Sequence, residues 1–322
     1  MKCPDLNELP APRLDKKGWP WSMDGISLEK ISNDSSWPRI SIVIPSYNQG
    51  GFIEESIRSV LLQQYPNLEF FIMDGGSTDD TIEIIKKYSR WIDYWESVPD
   101  KGQSHAINKG LRLATGTFFN WHNSDDILLP GILFELSNAF QNHKDASYVH
   151  GYLEVIDEHS KVKKGTYVGR LAQGKGYFPT IEDAVCHLRS GRQPGCLMDR
   201  RLIREAGLID EKLDYVMDFD ILIRLGLLAK PFYIDKAVAR VRIHDKCKTF
   251  APRPRHAEEC LILARKIFQN KHAAYEVRHQ KSRCFEKAHK KAAFYYNQAG
   301  MPILSRWHNF LGKYYSLIAK FQ

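Results

Sequence analysis

An alternation of apolar runs with helical patterns constrains the fold of this chain more than any other feature. The run Ile40–Pro45 is apolar and rich in β-branched residues, which is typical of a buried strand. Residues 52–64 then carry apolar side chains at helical spacing. A second apolar run, Leu68–Met73, precedes a helical pattern that ends at Lys87. Strands that alternate with helices predict a parallel, doubly wound sheet with right-handed connections.

The alternation continues through the middle of the chain and then changes. We expect strands at 94–98, 117–122, 147–155 and 161–170, with helices at 105–113 and 130–142. Beyond this point we expect a mixed region, with short helices at 180–189 and 199–206, a strand at 195–198, a helix at 221–229 and a strand at 233–243.

The pattern divides the chain into three regions. We expect an irregular N-terminal arm at 1–38, an α/β domain at 39–250 and a helical extension at 251–322, in which Pro302 separates two helical stretches. The arm carries Trp19, Trp21 and Trp37. Since large aromatic side chains stabilise a fold when they are buried, we expect the arm to pack on the domain.

Composition limits the classes of partner. The chain has 322 residues, of which 43% are hydrophobic, so it is long enough for one large domain or one and a half. Its net charge is +8 and its pI is about 9.0. A solubilising surface explains this excess, and so does an anionic partner such as nucleotide phosphates, nucleic acid or an acidic membrane. Because no nucleic-acid-binding motif accompanies the charge, we predict no nucleic-acid partner.

The cysteines and the apolar runs bear on the compartment. The six cysteines are scattered and include no Cys-x-x-Cys pair, which argues against a zinc site and a disulfide framework. The first residues do not form a signal peptide, and no run reaches the roughly 18 apolar residues of a membrane span. We therefore expect a soluble, cytoplasmic protein.

Two adjacent acids, Asp125 and Asp126, follow the apolar strand predicted at 117–122. That position lies at the carboxyl edge of the sheet, where open α/β folds bind ligands. Neighbouring carboxylates repel each other unless a cation or hydrogen bonds offset the repulsion, and a hard divalent ion shared with substrate phosphates is one solution. The alternative is structural: Asp126 could cap a helix that begins near Pro130.

Six short motifs follow one another along the chain. They are Ile44-Pro45-Ser46-Tyr47-Asn48, Met73-Asp74-Gly75-Gly76-Ser77-Thr78-Asp79-Asp80-Thr81, Pro99-Asp100-Lys101-Gly102-Gln103 with Ala106-Ile107-Asn108-Lys109-Gly110, Asn123-Ser124-Asp125-Asp126, Asp218-Phe219-Asp220, and Arg242-Ile243-His244. In this order they resemble the inverting nucleotide-sugar glycosyltransferases of family 2. These enzymes have the GT-A fold, a Rossmann-like and mostly parallel central sheet flanked by helices. The likeness covers about residues 39–250.

The resemblance implies a nucleotide-diphosphate-sugar donor, with UDP or GDP as the carrier, and a divalent metal, Mn or Mg. The turn Pro45-Ser46-Tyr47, continued by Asn48, matches the edge of the base pocket, and Tyr47 could stack on the base. Asp74 matches the acid that reads the base or the ribose. The family often has a second acid directly after it, where this chain has Gly75.

The resemblance also implies a metal site. Asn123-Ser124-Asp125 matches the Asp-X-Asp motif, with Asn in place of the first acid. Asn123 and Ser124 are then donor-binding residues, Asp125 is the first metal ligand and Asp126 the supporting acid. His244 matches a position that approaches the metal or the diphosphate, and the alternative for a lone histidine is an ordinary structural role.

Asp218 matches the catalytic base of the family, where Met217 replaces a preceding Glu. The reaction needs an acid here because the acceptor hydroxyl must lose its proton as it attacks. A single base without a covalent intermediate implies inversion at the anomeric carbon. The alternative for Asp218 is the N-cap of the helix predicted at Ile221, although Asp220 fits that cap better and could orient the acceptor.

Further candidates lie around the donor phosphates and the acceptor. Lys101 follows a strand end where phosphates bind, and Asn108 belongs to the same motif, whereas Lys109 could simply be solvated. His105 replaces an Asp that a related subgroup has, and Gln193 fits a turn near the acceptor.

We therefore predict a glycosyltransferase of surface polysaccharide biosynthesis that transfers a sugar to a glycan or lipid-linked hydroxyl. The alternative is a non-catalytic module of the same fold that binds nucleotide sugars or glycans. A dinucleotide oxidoreductase is disfavoured because Ser46–Gly51 is not Gly-x-Gly-x-x-Gly. The basic C-terminal helices could pack on the domain or, alternatively, dock on an anionic membrane and hold the protein at its inner face.

Overall fold

The computed structural model describes residues 3–12, 16–22, 37–168, 193–245, 248, 254–271 and 275–320. Nine strands among them form one sheet. The strands are β1 (Ile40–Ser46), β2 (Leu68–Asp74), β3 (Tyr94–Ser97), β4 (Phe118–Trp121), β5 (Ile127–Leu128), β6 (Tyr148–Ile156), β7 (Val162–Val168), β8 (Leu197–Asp199) and β9 (Phe232–Arg242). The helices are α1 (Ile53–Leu61), α2 (Thr81–Tyr88), α3 (Gln103–Leu113), α4 (Ile132–Asn142), α5 (Arg200–Ala206), α6 (Met217–Leu228), α7 (Pro254–Gln269), α8 (Tyr275–His279), α9 (Lys281–Gln298) and α10 (Pro302–Ile318).

The strand order separates a parallel half of the sheet from a mixed half. The order is β3-β2-β1-β4-β8-β6-β9-β5, and β7 pairs with β6. Strands β1 to β4 are parallel, whereas β8 runs antiparallel to both β4 and β6. The predicted α/β fold with a mostly parallel sheet is confirmed, and so is the change to a mixed region after β6.

Strands β1, β2 and β4 are buried on both faces of the sheet, which explains why their sequences are largely apolar. Ile40, Ile42 and Ile44 of β1 join the hydrophobic cluster that contains α1, α2 and α4. Val43 points to the other face and joins the cluster of α3, α6 and α7. Helix α3 approaches β1 so closely that a Cβ on Gly110 would lie 2.5 Å from Val43 Cγ2, so glycine is required at this crossing.

Two predicted elements differ from the structure. Strand β5 was not expected because it has two residues, and its partner β9 lies more than 100 residues later in the chain. Helix α6 begins at Met217 rather than Ile221, with Val216 at its N-cap. Asp218 and Asp220 therefore lie in the first turn of α6 and are not its cap. The helix predicted at 180–189 lies outside the described residues.

The two ends of the chain pack on the α/β domain. Trp19 and Trp21 are buried, as predicted, and donate hydrogen bonds to Leu128 O at 2.6 Å and to Glu55 Oε1 at 2.9 Å. Leu263 and Cys284, from α7 and α9, belong to the same hydrophobic cluster as α6. No helix in the described ranges combines the length and the hydropathy that crossing a bilayer requires.

Candidate active site

Three parallel strands end at one edge of the sheet and bring three polar segments together. Ser46 at the end of β1 pairs with Asp74 at the end of β2, and Val43 pairs with Trp121 at the end of β4. The segments 47–51, 75–80 and 122–126 therefore start side by side. This carboxyl edge is the place where open α/β sheets bind ligands.

Hydrogen bonds join the turn after β1 to the turn after β2. Asn48 adopts a left-handed backbone conformation with φ 52°, which Asn tolerates better than most residues. Its main-chain N–H donates to Ser77 Oγ at 2.7 Å, and its Oδ1 accepts from Thr78 N at 2.9 Å. These bonds hold the turn that carries Tyr47 at the carboxyl edge of the sheet, where Tyr47 is 61% exposed. Tyr47 is thus accessible to a base, while Asn48 organises the turn.

Asp74 is fully buried, and both of its carboxylate oxygens already accept hydrogen bonds. Its Oδ2 accepts from Gly76 N, Ser77 N and Ser97 Oγ at 2.6–3.0 Å, and its Oδ1 accepts from Ser77 Oγ at 2.6 Å. A carboxylate with these partners fixes the path of the turn. The structure therefore gives Asp74 an organising role beside the donor-binding role that we predicted for it.

Asp100 lies beside Gly75, the position at which the family often has a second acid. A Cβ on Gly75 would stand 3.0 Å from Asp100 Oδ2, so the carboxylate of Asp100 occupies the space next to this glycine. Its Oδ1 accepts from Gly102 N at 2.7 Å, just before α3. Sequence reasoning quoted Asp100 in a motif but gave it no role. The glycine at 75 was the signal that a neighbouring acid could take this place.

Hydrogen bonds to buried residues hold the acidic loop, residues 122–126, which follows β4. His122 is buried, and its Nε2 lies 3.0 Å from the main-chain oxygen of Asp126, which also accepts from Ser56 Oγ at 2.6 Å. Burial lowers the pKa of His122 to about 4, so its ring is neutral at pH 7. Asn123 accepts from Gln103 Nε2 at 3.1 Å and donates to Asp126 Oδ2 at 2.9 Å. Asn123 thus joins the loop to α3.

Asp126 is 1% exposed and uses both carboxylate oxygens within the protein. Its Oδ1 accepts from Arg242 N at 3.1 Å, and its Oδ2 accepts from Asn123. Burial, and then the charge of Asp125, raise the pKa of Asp126 above its ordinary range. These contacts show that Asp126 supports the loop, and its role as a metal ligand stays a prediction. Asp126 does not cap α4, whose N-cap is Gly131.

Asp125 and His244 are neighbouring side chains of two types that commonly bind divalent metals. His244 Nε2 lies 3.1 Å from Asp125 Oδ2, and the ring of Phe52 packs on His244 with centroids 4.7 Å apart. The Asp125 side chain is 23% exposed, so it remains accessible. One carboxylate and one imidazole fit a divalent ion that takes its other ligands from diphosphate and water. In the described ranges no three His, Cys, Asp or Glu side chains form a metal-binding group.

Arg242 fixes the main chain of the acidic loop from strand β9. Its Nε donates to Asp125 O at 2.9 Å, and its terminal nitrogen lies 2.5 Å from Glu55 Oε2 in a pair whose side chains are 1% and 4% exposed. Its guanidinium stands 4.9 Å from the centre of the Phe52 ring. Arg242 belongs to a motif named above but was given no role, and its pairing with Glu55 was not predicted because the two positions are 187 residues apart.

Two consecutive residues of α3 connect the acidic loop with the start of α6. Gln103 donates to Asn123 Oδ1, and Ser104 Oγ donates to Leu213 O at 2.9 Å and lies 2.8 Å from Met217 Sδ. The Asp125 loop and the first turn of α6 therefore both contact the N-terminal turn of α3. Asp218 belongs to that first turn. The structure thus brings the two principal candidates to the same end of α3.

The first turn of α6 is anchored by a residue that sequence reasoning did not select. Glu259 of α7 is 1% exposed, and its carboxylate accepts from the main-chain N–H groups of Asp214, Tyr215 and Val216 at 2.7–3.3 Å. Arg255 bridges Glu259 Oε1 at 3.1 Å and Asp214 Oδ2 at 3.0 Å. A side chain from the C-terminal region therefore positions the helix that carries Asp218.

Two other candidates have structural partners instead of an open site. Asp220 is buried and binds Arg224 at 2.7 Å and Lys266 at 2.8 Å, beside a cavity of about 250 Å³ between α6 and α7. Asn108 donates to Ile209 O at 2.9 Å and accepts from Ile209 N at 3.1 Å. These contacts account for both residues without a substrate. The acceptor-side role of Asp220 and the donor-binding role of Asn108 stay predictions.

The remaining candidates are distributed around the same edge. Gln193 is buried and donates to the main-chain oxygen of Trp121 directly before the acidic loop, and Ser124 is also buried. Lys101 is exposed at the start of α3, whereas Lys109 is paired with Glu96 at 2.5 Å. Among the candidate site residues, Ser46 Oγ and His105 Nδ1 are buried and have no hydrogen-bond partner within the part of the chain that the structure describes.

Comparisons with known proteins agree with this architecture. The model of the family named glycosyl transferase family 2 matches residues 41–205, which is just over half of the chain. An uncharacterized glycosyltransferase of Rickettsia typhi is 28% identical over 216 residues, which are 65% of this chain and 65% of that protein. The chain thus spans slightly less than two thirds of that relative. The Escherichia coli protein WfgD, a UDP-Glc:alpha-D-GlcNAc-diphosphoundecaprenol beta-1,3-glucosyltransferase, is 33% identical over 126 residues, covering 39% of this chain and 49% of WfgD.

A solved structure extends the likeness to the fold. The mannosyltransferase PcManGT of Pyrobaculum calidifontis, in complex with GDP-Man and Mn²⁺, aligns with a TM-score of 0.60 at 15% identity. The alignment covers 92% of this chain and 79% of PcManGT. It confirms the predicted GT-A fold with its helical C-terminal region. Together with the matched motifs, these comparisons show that the chain belongs to glycosyltransferase family 2.

Proposed function

We propose that this protein is a metal-dependent, inverting glycosyltransferase that moves a hexosyl group from a nucleotide-diphosphate sugar to a hydroxyl of a glycan or a lipid-linked acceptor. The observation that carries the proposal is the junction at the start of α3. Gln103 contacts the loop of Asp125, and Ser104 contacts the first turn of α6, where Asp218 lies. These contacts support a site at this end of α3 in which Asp125 would bind the metal and Asp218 would remove the proton.

Each group has a distinct chemical task in this proposal. Asp218 accepts the proton of the acceptor hydroxyl as that oxygen attacks the anomeric carbon. Asp125 and His244 would hold the divalent ion, which supplies positive charge to the departing nucleoside diphosphate. Tyr47 stacks on the base, and Asp100 is placed to accept hydrogen bonds from the nucleoside. Since the diphosphate is already a good leaving group, orientation and charge stabilisation supply most of the rate.

The names of the relatives support a nucleotide-sugar donor and leave UDP and GDP as alternatives. WfgD is named for a UDP-sugar and a diphosphoundecaprenol-linked acceptor, and PcManGT was solved with GDP-Man and Mn²⁺. We extend these chemistries to the present chain as a proposal and place it in surface polysaccharide biosynthesis.

A thermal-shift panel followed by a transfer assay tests the proposal. We expect UDP or GDP with Mn²⁺ to raise the melting temperature, and a chelator to abolish both this shift and the transfer. Asp125→Asn should weaken the metal-dependent shift, because the pair with His244 loses its charge. Equal stabilisation and equal transfer in chelator would contradict the metal role.

The base is tested separately by Asp218→Asn. We expect this variant to keep donor binding and to lose at least about a hundredfold in transfer, because a general base typically contributes that much or more. Asp145→Asn, which removes an exposed carboxylate elsewhere, is the matched control. Full turnover by Asp218→Asn would refute its assignment as the base.

Donor binding without turnover by the unaltered protein would favour a non-catalytic sugar-nucleotide module. NMR of the product reports whether the anomeric centre is inverted.

A further inference from the structure

Helix α10 directs its large apolar side chains away from the protein. Ile303, Trp307, Phe310, Tyr314 and Leu317 are 82%, 55%, 60%, 53% and 56% exposed. At 3.6 residues per turn they fall within an arc of about 80°, and they form a stripe about 21 Å long. An exposed apolar surface of this size and continuity is uncommon on a protein without a partner.

The side of α10 that faces α9 carries small and polar residues together with Tyr315, whose ring stacks on Phe285 and His289 at centroid distances of 5.3 and 5.4 Å. Ser305, His308 and Gly312 are buried. A Cβ on Gly312 would stand 3.4 Å from Lys290 Cγ of α9, and His308 Nδ1 lies 2.8 Å from His289 Nδ1. An ordinary surface helix turns its apolar stripe toward the core, whereas α10 keeps a row of large apolar side chains on its outer side. The contacts with α9 fix the rotation of α10, so the outward stripe is a property of the fold.

The charge around the stripe indicates which kind of partner covers it. Arg306 and Lys313 lie seven residues apart along one border of the stripe, and Lys320, two residues after the end of α10, continues this basic row in the sequence. Between Lys287 and Gln322 the sequence has six Lys or Arg residues and no Asp or Glu. Two copies of the chain joined through this face would bring two such cationic segments together without acids from either. An anionic surface is therefore the complementary partner.

We propose that α10 docks the protein on an anionic phospholipid bilayer, with its apolar stripe in the upper acyl region and the row Arg306, Lys313 and Lys320 against the headgroup phosphates. Trp and Tyr are the side chains that favour the membrane–water interface. A helix of 17 residues with one protein-bound face lies in the plane of the interface and does not cross it. The proposal depends only on α10 and is independent of the catalytic assignment.

Vesicle sedimentation with the full chain tests this docking. We expect binding to vesicles of phosphatidylcholine with phosphatidylglycerol, weaker binding to phosphatidylcholine alone, and loss of affinity as salt is raised. Trp307→Ala with Phe310→Ala should weaken binding by roughly tenfold for each side chain removed. Replacing Arg306, Lys313 and Lys320 by Gln should weaken it by about fivefold for each charge.

A control variant that loses the same number of positive charges distinguishes docking by α10 from general electrostatic attraction to the vesicles. Lys161, Lys163 and Lys164 are exposed at β7, and their replacement by Gln should leave binding within about twofold. Equal weakening by both triple variants, or unchanged binding by the Trp307 and Phe310 variant, would overturn the proposal. So would a dimer in solution that this apolar variant converts to monomer, because a second copy would then cover the stripe. Unchanged circular dichroism confirms that each variant is folded.

Discussion

At the scale of single residues, the buried pair of Arg242 and Glu55 determines the geometry of the acidic loop. Arg242 donates to the main-chain oxygens of Asp125, Asp157 and Glu158 as well as to Glu55. Burial works to raise the pKa of Glu55, but the hydrogen bond from Ser160 and the charge of Arg242 outweigh it and hold that pKa below its ordinary value. Both partners are therefore charged in the folded protein at neutral pH.

Removing one partner of this pair should destabilise the protein strongly. We expect Arg242→Met or Glu55→Gln alone to lower the free energy of unfolding by about 3–5 kcal/mol, because the remaining charge loses its buried counterion. The loss in Arg242→Met should lie toward the lower end, because Glu55 keeps its ion pair with the partly exposed Lys16 at 3.2 Å. The double variant should lose clearly less than the sum of the two. Urea denaturation followed by circular dichroism at pH 7.5 measures all three.

A second ion pair on the same strand provides the control. Arg240 and Glu154 are 2.9 Å apart, but their side chains are 23% and 24% exposed. Arg240→Gln should therefore cost no more than about 1 kcal/mol. Additive losses in the Glu55 and Arg242 variants, or an equal loss in Arg240→Gln, would contradict the argument from burial.

At the scale of elements, the orientation of α6 depends on α7. The N-cap of α6 is Val216, which provides no side-chain hydrogen bond, and the N–H groups of residues 214–216 donate to Glu259 instead. A carboxylate at a helix N-terminus is favourable because the exposed N–H groups carry partial positive charge. Glu259 is thus a positioning residue for Asp218 and does not itself need to touch a substrate.

Glu259→Gln should reduce turnover more than donor binding. The amide replaces one accepting oxygen by a donor that faces other donors, so we expect kcat to fall by roughly tenfold, with a change of less than about threefold in the donor KM. Glu259→Asp should restore part of kcat. Glu258→Gln, at an exposed neighbouring position, is the matched control. A purely structural role would lower the melting temperature of Glu259→Gln without changing kcat at low temperature, which would exclude positioning.

Features that short stretches of sequence encode were predicted, whereas contacts between residues far apart in the chain were not. The parallel strands, the turns after them and the pair Asp125-Asp126 are encoded in short apolar and polar patterns, so their place at one sheet edge followed from local rules. Glu259 and Arg242 act on residues about 45 and 117 positions away. No period or motif encodes such a contact. Asp74, Asn108 and Asp220 were selected by their motifs, but packing uses their polar atoms within the protein.

At the scale of the whole molecule, buried histidines join the C-terminal helices to each other and to the α/β domain. His256 of α7 stacks between Tyr215, which precedes α6, and Tyr295 of α9, at centroid distances of 5.1 and 3.8 Å. His289 of α9 and His308 of α10 share a hydrogen bond between their Nδ1 atoms at 2.8 Å. One of these two rings must be the acceptor, so both cannot be protonated while the contact persists.

The attachment of these helices should therefore weaken in mild acid. Burial, and then the charge of Lys291, lower the pKa of His256 to about 4. Burial, and then His308 and Arg265, lower the pKa of His289 to about 4, and burial lowers that of His308. The unfolded chain, with histidine pKa near 6.5, then binds more protons than the folded chain between about pH 6.5 and 4. Stability is complete above this window and falls as the pH decreases through it.

The loss should be on the order of 1–2 kcal/mol for each of His256 and His289, after allowance for their partial contact with solvent. Urea denaturation at pH 7.5, 6.0 and 5.0 measures it. His289→Asn should reduce the dependence on pH, because the ring that must charge is absent, while its stability at pH 7.5 falls through the lost contact with His308. His159→Asn removes an exposed histidine and should leave the slope unchanged. Because protonation would separate His289 from His308, acid should first release α10 from α9, which hydrogen exchange of these two helices would detect. Equal slopes for the unaltered protein and for His289→Asn would show that this histidine does not set the acid sensitivity.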